Sequence, residues 1–107
     1  MNKYRNIKTE VDGILFHSKK EAMRYGILKM LERGGAISEL KMQVAFELIP
    51  SIIIQGKKKP ALRYIADFTY VENGKWIVED VKGALTDVYK IKRHLMKYFR
   101  NIDILET

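Results

Sequence analysis

Four residues stand out for the chemistry they could do: Asp67, Asp80, Lys82 and Glu21. Asn73-Gly74 lies between two β-rich runs and is the dipeptide of a two-residue hairpin turn, which needs positive φ at both positions. That turn sets Glu72 opposite Lys75 and, counting down the ladder, Asp67 opposite Asp80. Side chains alternate along a strand, so both carboxylates share one sheet face with Cβ atoms roughly 5 Å apart. Like charges placed in this way destabilise a ladder. A divalent cation held by oxygen ligands relieves the repulsion, and so does a shared proton. Lys82 projects to the same face and reaches Asp67 diagonally, which leaves a structural salt-bridge cluster as a third solution. Ile65 and Val78 share this face and make it partly apolar, and Trp76 on it reads as core packing. Glu79 points the other way with Ala66, Phe68 and Val81 and is given no catalytic role. Glu21 closes Ser18-Lys19-Lys20-Glu21, a capping box that explains it locally. On the first turn of a helix packed against the sheet, it could also add a third carboxylate.

The elements that must position these residues follow from turn and cap chemistry. Asn6 to Phe16 reads as a hairpin about Asp12-Gly13. Ser18 opens a helix to about Arg33, ended by Gly34-Gly35, with Met23, Ile27, Met30 and Leu31 expected to face the core. Strands are predicted at Ile37 to Lys41 and Val44 to Ile49, the second stopped by Pro50, followed by a basic loop from Gly56 to Pro60. Leu62 to Val71 and Lys75 to Val81 form the Asn73-Gly74 hairpin. A helix from about Asp87 to Phe99 and a short strand at Ile102 to Leu105 complete the chain. The order predicts an α/β fold with helices flanking a mixed central sheet and an N-terminal β-hairpin.

The 107 residues suit one domain spanning 1–107. With 47% hydrophobic residues the chain has enough apolar material for a packed interior. It has no Cys, which removes thiol nucleophiles, thiolate zinc sites and disulfide scaffolds. No apolar run is long enough to span a bilayer and no signal peptide is visible after Lys3 and Arg5, so a cytoplasmic, intracellular location is expected and no membrane partner. The net charge of +7 favours polyanions, nucleic acid first.

Asp67, then Asp80-Val81-Lys82, with Glu21 on an upstream helix, resembles the PD-(D/E)XK nuclease superfamily. Ala66 stands where the Pro of that name would be, a departure the superfamily often shows. Ser18-Lys19-Lys20-Glu21-Ala22, Tyr64-Ile65-Ala66-Asp67-Phe68 and Val78-Glu79-Asp80-Val81-Lys82-Gly83 look like small phage-encoded endonucleases related to Holliday junction resolvases. The resemblance extends to nucleases that cut transposon ends. It implies a restriction-endonuclease-like core from about Ser18 to Glu106 and metal-dependent hydrolysis of phosphodiesters in a phage or its bacterial host. On this pattern Asp67 and Asp80 would ligate Mg²⁺ or Mn²⁺ together with the Val81 carbonyl. Lys82 would orient water or stabilise the transition state, and Glu21 would bind a second metal or position water.

DNA contacts are expected along the last helix, where Lys90, Arg93, Lys97 and Arg100 form a basic stripe beside the apolar stripe Val88, Ile91, Leu95, Tyr98 and Phe99. Lys57, Lys58 and Lys59 are a second phosphate-binding candidate, while His17 and His94 read as polar surface residues. Without a base-reading motif, the expected substrate is branched DNA selected by shape. Alternatives are duplex nicking or end-cutting, a non-catalytic basic DNA-binding module, an RNA-cleaving enzyme and a phage host-takeover inhibitor. Two-strand cleavage calls for a C₂ homodimer, with Asn6 to Phe16 and Ile52 to Ile54 as candidate interfaces.

Overall fold

The computed structural model describes residues 8–107, so Asn6 and Ile7, assigned above to the first hairpin, lie outside the described residues. A hairpin of β1 (Thr9–Val11) and β2 (Ile14–Phe16) turns at Asp12-Gly13, both with positive φ. Helix α1 (Lys19–Arg33) follows, then β3 (Ser38–Ile49), a small hairpin of β4 (Ile52–Ile54) and β5 (Lys57–Lys59), and the long hairpin of β6 (Leu62–Glu72) and β7 (Lys75–Asp80). Helix α2 (Asp87–Arg100) and β8 (Leu105–Glu106) complete the fold. The central sheet has the order β3-β6-β7-β8, antiparallel except for the parallel β7–β8 pair, which α2 connects. This is the mixed α/β architecture with flanking helices and N-terminal hairpin that the sequence predicts.

Each helix covers a separate core. Ala22, Tyr25 and Leu28 of α1 pack with Phe16, Ile37, Phe68 and Tyr70. Tyr89 and Met96 of α2 pack with Phe46, Leu48, Tyr64, Ala66 and Val78. Along β7 and on to Val81 just beyond it the alternation is strict, with Ile77 and Val81 toward the first cluster and Val78 in the second. In β6, Tyr64 and Ala66 belong to the second cluster while Phe68 and Tyr70 belong to the first, although all four have the same parity. β3 does the same between Met42 and Val44. Both strands therefore exchange faces at one rung, that of Gln43 and Asp67. Gln43 has a left-handed φ of 52°, and the ladder resumes in unchanged register on either side of it. Such a break in pleat re-aims side chains locally. It also corrects two expectations: Ala66 lies on the α2 face rather than with Glu79, and Ile65 is 53% exposed rather than lining the carboxylate face.

Other expectations change for related reasons. The two strands predicted over 37–49 are one, because the chain passes through positive φ at Glu39 and Gln43 without leaving the sheet. The basic loop of 56–60 is strand β5, paired with β4 across a Gln55-Gly56 turn. Met23, Ile27 and Met30 are exposed on α1, whose buried face is Ala22, Tyr25 and Leu28. On α2 the buried residues are Tyr89 and Met96, while Val88, Ile91, Tyr98 and Phe99 face outward. Trp76 is 54% exposed against Phe46 and does not enter the core. The last strand is shorter and later than expected, at Leu105–Glu106. Among the described residues no helix is long and apolar enough to cross a membrane.

Candidate functional site

The β6–β7 ladder runs from Glu72↔Lys75 to Phe68↔Glu79, the register read from Asn73-Gly74, and Asp67 and Asp80, one residue beyond its last rung on each strand, line the same cavity. Here β7 ends. The Val81 N–H turns to donate to Asp67 Oδ2 at 2.8 Å, so a side chain takes over from the ladder at the point where β6 changes faces. The chain beyond Asp80 is held by Thr107, the residue after β8: its N–H donates to the Asp80 carbonyl and Lys82 N–H donates to the Thr107 carbonyl. The two carboxylates, Val81 and Glu21 line one open cavity of about 530 Å³, with Lys20 and His17 among its other walls.

Every carboxylate oxygen of the pair holds one donor. Asp67 Oδ1 accepts from the Gln43 amide at 3.4 Å and Oδ2 from Val81. Asp80 Oδ2 accepts from the Tyr64 hydroxyl at 2.6 Å, and Oδ1 meets the Lys82 ammonium at 2.9 Å. Lys82 Nζ also sits 3.4 Å above the centre of the Tyr89 ring, a cation–π contact that fixes its direction. Lys82 thus pairs with Asp80 rather than reaching Asp67 diagonally, because its ammonium is held over the Tyr89 ring. Burial and then the charge of Asp80 push Asp67 up to about 7, against the opposing Val81 hydrogen bond and with a further push from Glu21. Burial also raises Glu21, opposed by His17 and reinforced by Asp80. Three carboxylates therefore feel one another across the cavity.

Only half of the capping box forms. The Ser18 hydroxyl accepts from the Glu21 N–H at 3.1 Å, while the Glu21 carboxylate faces the cavity. Among the described residues no group of three or more Asp, Glu or His is gathered tightly enough to form a complete metal cage. Mg²⁺ does not require one: it is usually bound by one or two carboxylates, with waters and substrate phosphate completing the shell. An ionised carboxylate oxygen accepts about two hydrogen bonds, so each oxygen of Asp67 and Asp80 retains acceptor capacity, and the donor set fits a hard cation.

Glu79 points toward α1, away from the cavity. It is fully buried, paired with Arg24 at 2.7 and 2.9 Å, and receives the Tyr70 and Thr107 hydroxyls. The basic stripe of α2 is largely engaged within the chain. Arg93 pairs with Glu106, Lys97 with Asp103, and Arg100 donates to the Glu47 carbonyl. Lys90 is exposed on the helix, and Lys57, Lys58 and Lys59 are exposed on β5. His17 and His94 are exposed, the former on the cavity wall. Sequence reasoning misses Tyr64, Tyr89, Gln43 and Lys20, whose ammonium donates to the Lys82 carbonyl at 2.8 Å. Strict alternation sends Tyr64 to the wrong face, and no local signal marks the other three.

Fold and cavity together define a small α/β domain with an acidic pocket at the end of a central hairpin, backed by a lysine. The chain belongs to the DUF1064 family, described as protein of unknown function, which it matches over residues 1–105. No curated protein matches it.

Proposed function

We propose that this chain is a Mg²⁺- or Mn²⁺-dependent endodeoxyribonuclease of the PD-(D/E)XK type, acting on branched DNA such as four-way junctions, as a homodimer inside a phage-infected or bacterial cell. The observation that carries the reading is the meeting of Asp67 and Asp80 in one cavity, with Lys82 against Asp80 and Glu21 among the same walls. Asp67, Asp80 and the Val81 carbonyl are the residues that would hold the ion. When bound, the ion supplies Lewis-acid polarisation of the phosphate and a more acidic water. Tyr64 fixes the Asp80 carboxylate, and Gln43 and the Val81 N–H fix that of Asp67. Lys82, held over Tyr89 and against Asp80, would stabilise negative charge developing on phosphate oxygens. Glu21, on the cavity wall, would orient water. Hydrolysis adds one water across a P–O bond, leaving a phosphomonoester and a free hydroxyl.

The Lys82–Asp80 ion pair also favours a second reading, a non-catalytic DNA-binding domain in which lysine neutralises the pair. A panel of four-way junction, Y-fork, linear duplex, single-stranded DNA and RNA, each with Mg²⁺ or Mn²⁺, separates the readings. Paired incisions near the branch, independent of arm sequence, are expected. Equal cutting of linear duplex would leave a nicking or end-cutting nuclease, and binding without cleavage under any metal would leave the binding domain.

A further inference from the structure

The β4–β5 hairpin is an arm standing clear of the domain. Every residue from Ser51 to Pro60 is exposed, and the three isoleucines of β4 join neither core. Ile53, opposite Lys58, is 73% exposed; Ile52 and Ile54 lie on the other face opposite Lys59 and Lys57. Each face of the ribbon thus carries both aliphatic and ammonium groups. Exposed apolar surface of this kind marks an interaction site. The charge identifies the partner. No Asp or Glu occurs from Leu48 to Ala66, whereas Lys57, Lys58, Lys59 and Arg63 all do. A second copy of this arm would bring six lysines together with no carboxylate of its own to neutralise them. A polyanion satisfies them all, and the major groove of duplex DNA admits a two-stranded ribbon.

We infer that the β4–β5 arm lies in the major groove of the duplex flanking the cleaved bond, with its lysines on phosphates and its isoleucines against base edges. The inference rests on the nuclease reading and deepens it. Five residues of β6 separate the base of the arm at Leu62 from Asp67, at most about 17 Å at ~3.3 Å per residue. The three residues of each arm strand add up to about 10 Å more. At ~3.4 Å per base pair the arm reaches duplex about five to eight pairs from the site. The Gln55-Gly56 turn, with both residues at positive φ, matches strand twist and keeps the ribbon straight enough to insert.

The test is binding of the full chain, in chelator without divalent metal, to labelled duplexes and junctions whose flank beside the cleavage position is shortened from ten to three pairs. The wild-type chain should lose about tenfold or more in affinity on shortening. The Lys57→Ser/Lys58→Ser/Lys59→Ser variant should bind the long flank about as weakly as the wild type binds the short one. Its log-affinity against log-salt slope should be shallower by about 3. Ile53→Ser should weaken long-flank binding while leaving that slope unchanged. Thermal melts of both variants should match wild type, since the arm enters no core. Unchanged affinity, slope and flank dependence in the triple variant would overturn the arm's role, and the nuclease reading would stand if cleavage persisted. A drop in molecular mass on mutating the arm, at unchanged slope, would overturn it in favour of self-association. The arm signature without any cleavage in Mg²⁺ or Mn²⁺ would support the arm and remove the nuclease.

Discussion

Each oxygen of Asp67 and Asp80 is already directed by one donor, so the pair is oriented before any cation or phosphate arrives. Replacing Asp80 with Asn retains the shape and the Tyr64 contact but removes the charge that a cation and Lys82 require. Cleavage should fall below detection while DNA affinity stays within about threefold, and wild-type rates in the Asn variant would end the proposal. The proton on Asp67 gives a pH signature. Its native value of about 7 lies above the ordinary 3.8, so between the two the native state binds more protons than the unfolded chain. Without a cation, stability from this group is complete below about 3.8 and is lost as pH rises through 7. A cation needs the deprotonated form, so its stabilisation grows over the same interval. Melting curves with Mg²⁺ at a hundred times its Kd should show a rise of at least about 10 °C at pH 8, a much smaller one at pH 5.5, and none in Asp67→Asn.

At the scale of elements, α1 is fastened to the central hairpin through Arg24 and Glu79 rather than through its exposed methionines. Burial alone would raise Glu79, but Arg24, Tyr70 and Thr107 outweigh it and hold the carboxyl below the usual range. Its contribution to stability is therefore present above pH 4.5 and is lost as pH falls. Arg24→Ala leaves a buried, unpaired carboxylate and should cost about 3 kcal/mol in urea unfolding. An unchanged midpoint would show that α1 docks without the pair. Because α1 also carries Glu21, the variant should lose cleavage activity in excess of what unfolding explains. The same logic accounts for α2, which is tied to β8 by Tyr89 and Arg93 on Glu106. The Arg93 bonds use a cation that would otherwise meet phosphate.

Viewed as a whole molecule, the domain buries little of its helices' outer surface. Val88, Ile91, Leu95 and Tyr98 follow the three-four spacing of a helix-pairing seam, and all but Leu95 are exposed. The cations beside them are partly neutralised by Glu106 and Asp103, so two copies of this face can meet without the repulsion expected at the arm. Light scattering should give twice 12.5 kDa at micromolar concentration. Ile91→Glu should return the monomer mass and convert paired junction incisions into single nicks. A wild-type monomer at high concentration would remove the dimer from the proposal.

The central hairpin is legible in the amino-acid sequence because Asn73-Gly74 permits one tight turn, and one turn sets one register, which brings Asp67 and Asp80 to the same end of the ladder. The helix starts at Ser18 and Thr86 are equally local, since a hydroxyl satisfies a free N–H within three residues. What local pattern cannot supply is the exchange of faces at Gln43 and Asp67. Alternation has period two everywhere until two neighbouring strands break it together, as these do at Gln43 and Asp67. For that reason alternation does not reveal Tyr64 as the partner of Asp80, and it puts Ile65 and Ala66 on the wrong faces. The helix stripes mislead for a similar cause. A period of 3.6 shows that a helix has an apolar side, but a chain whose helices carry two cannot say which one the sheet will take. Only tertiary packing decides that Tyr25 and Leu28, and Tyr89 and Met96, face inward, leaving Met23, Ile91 and Tyr98 outside.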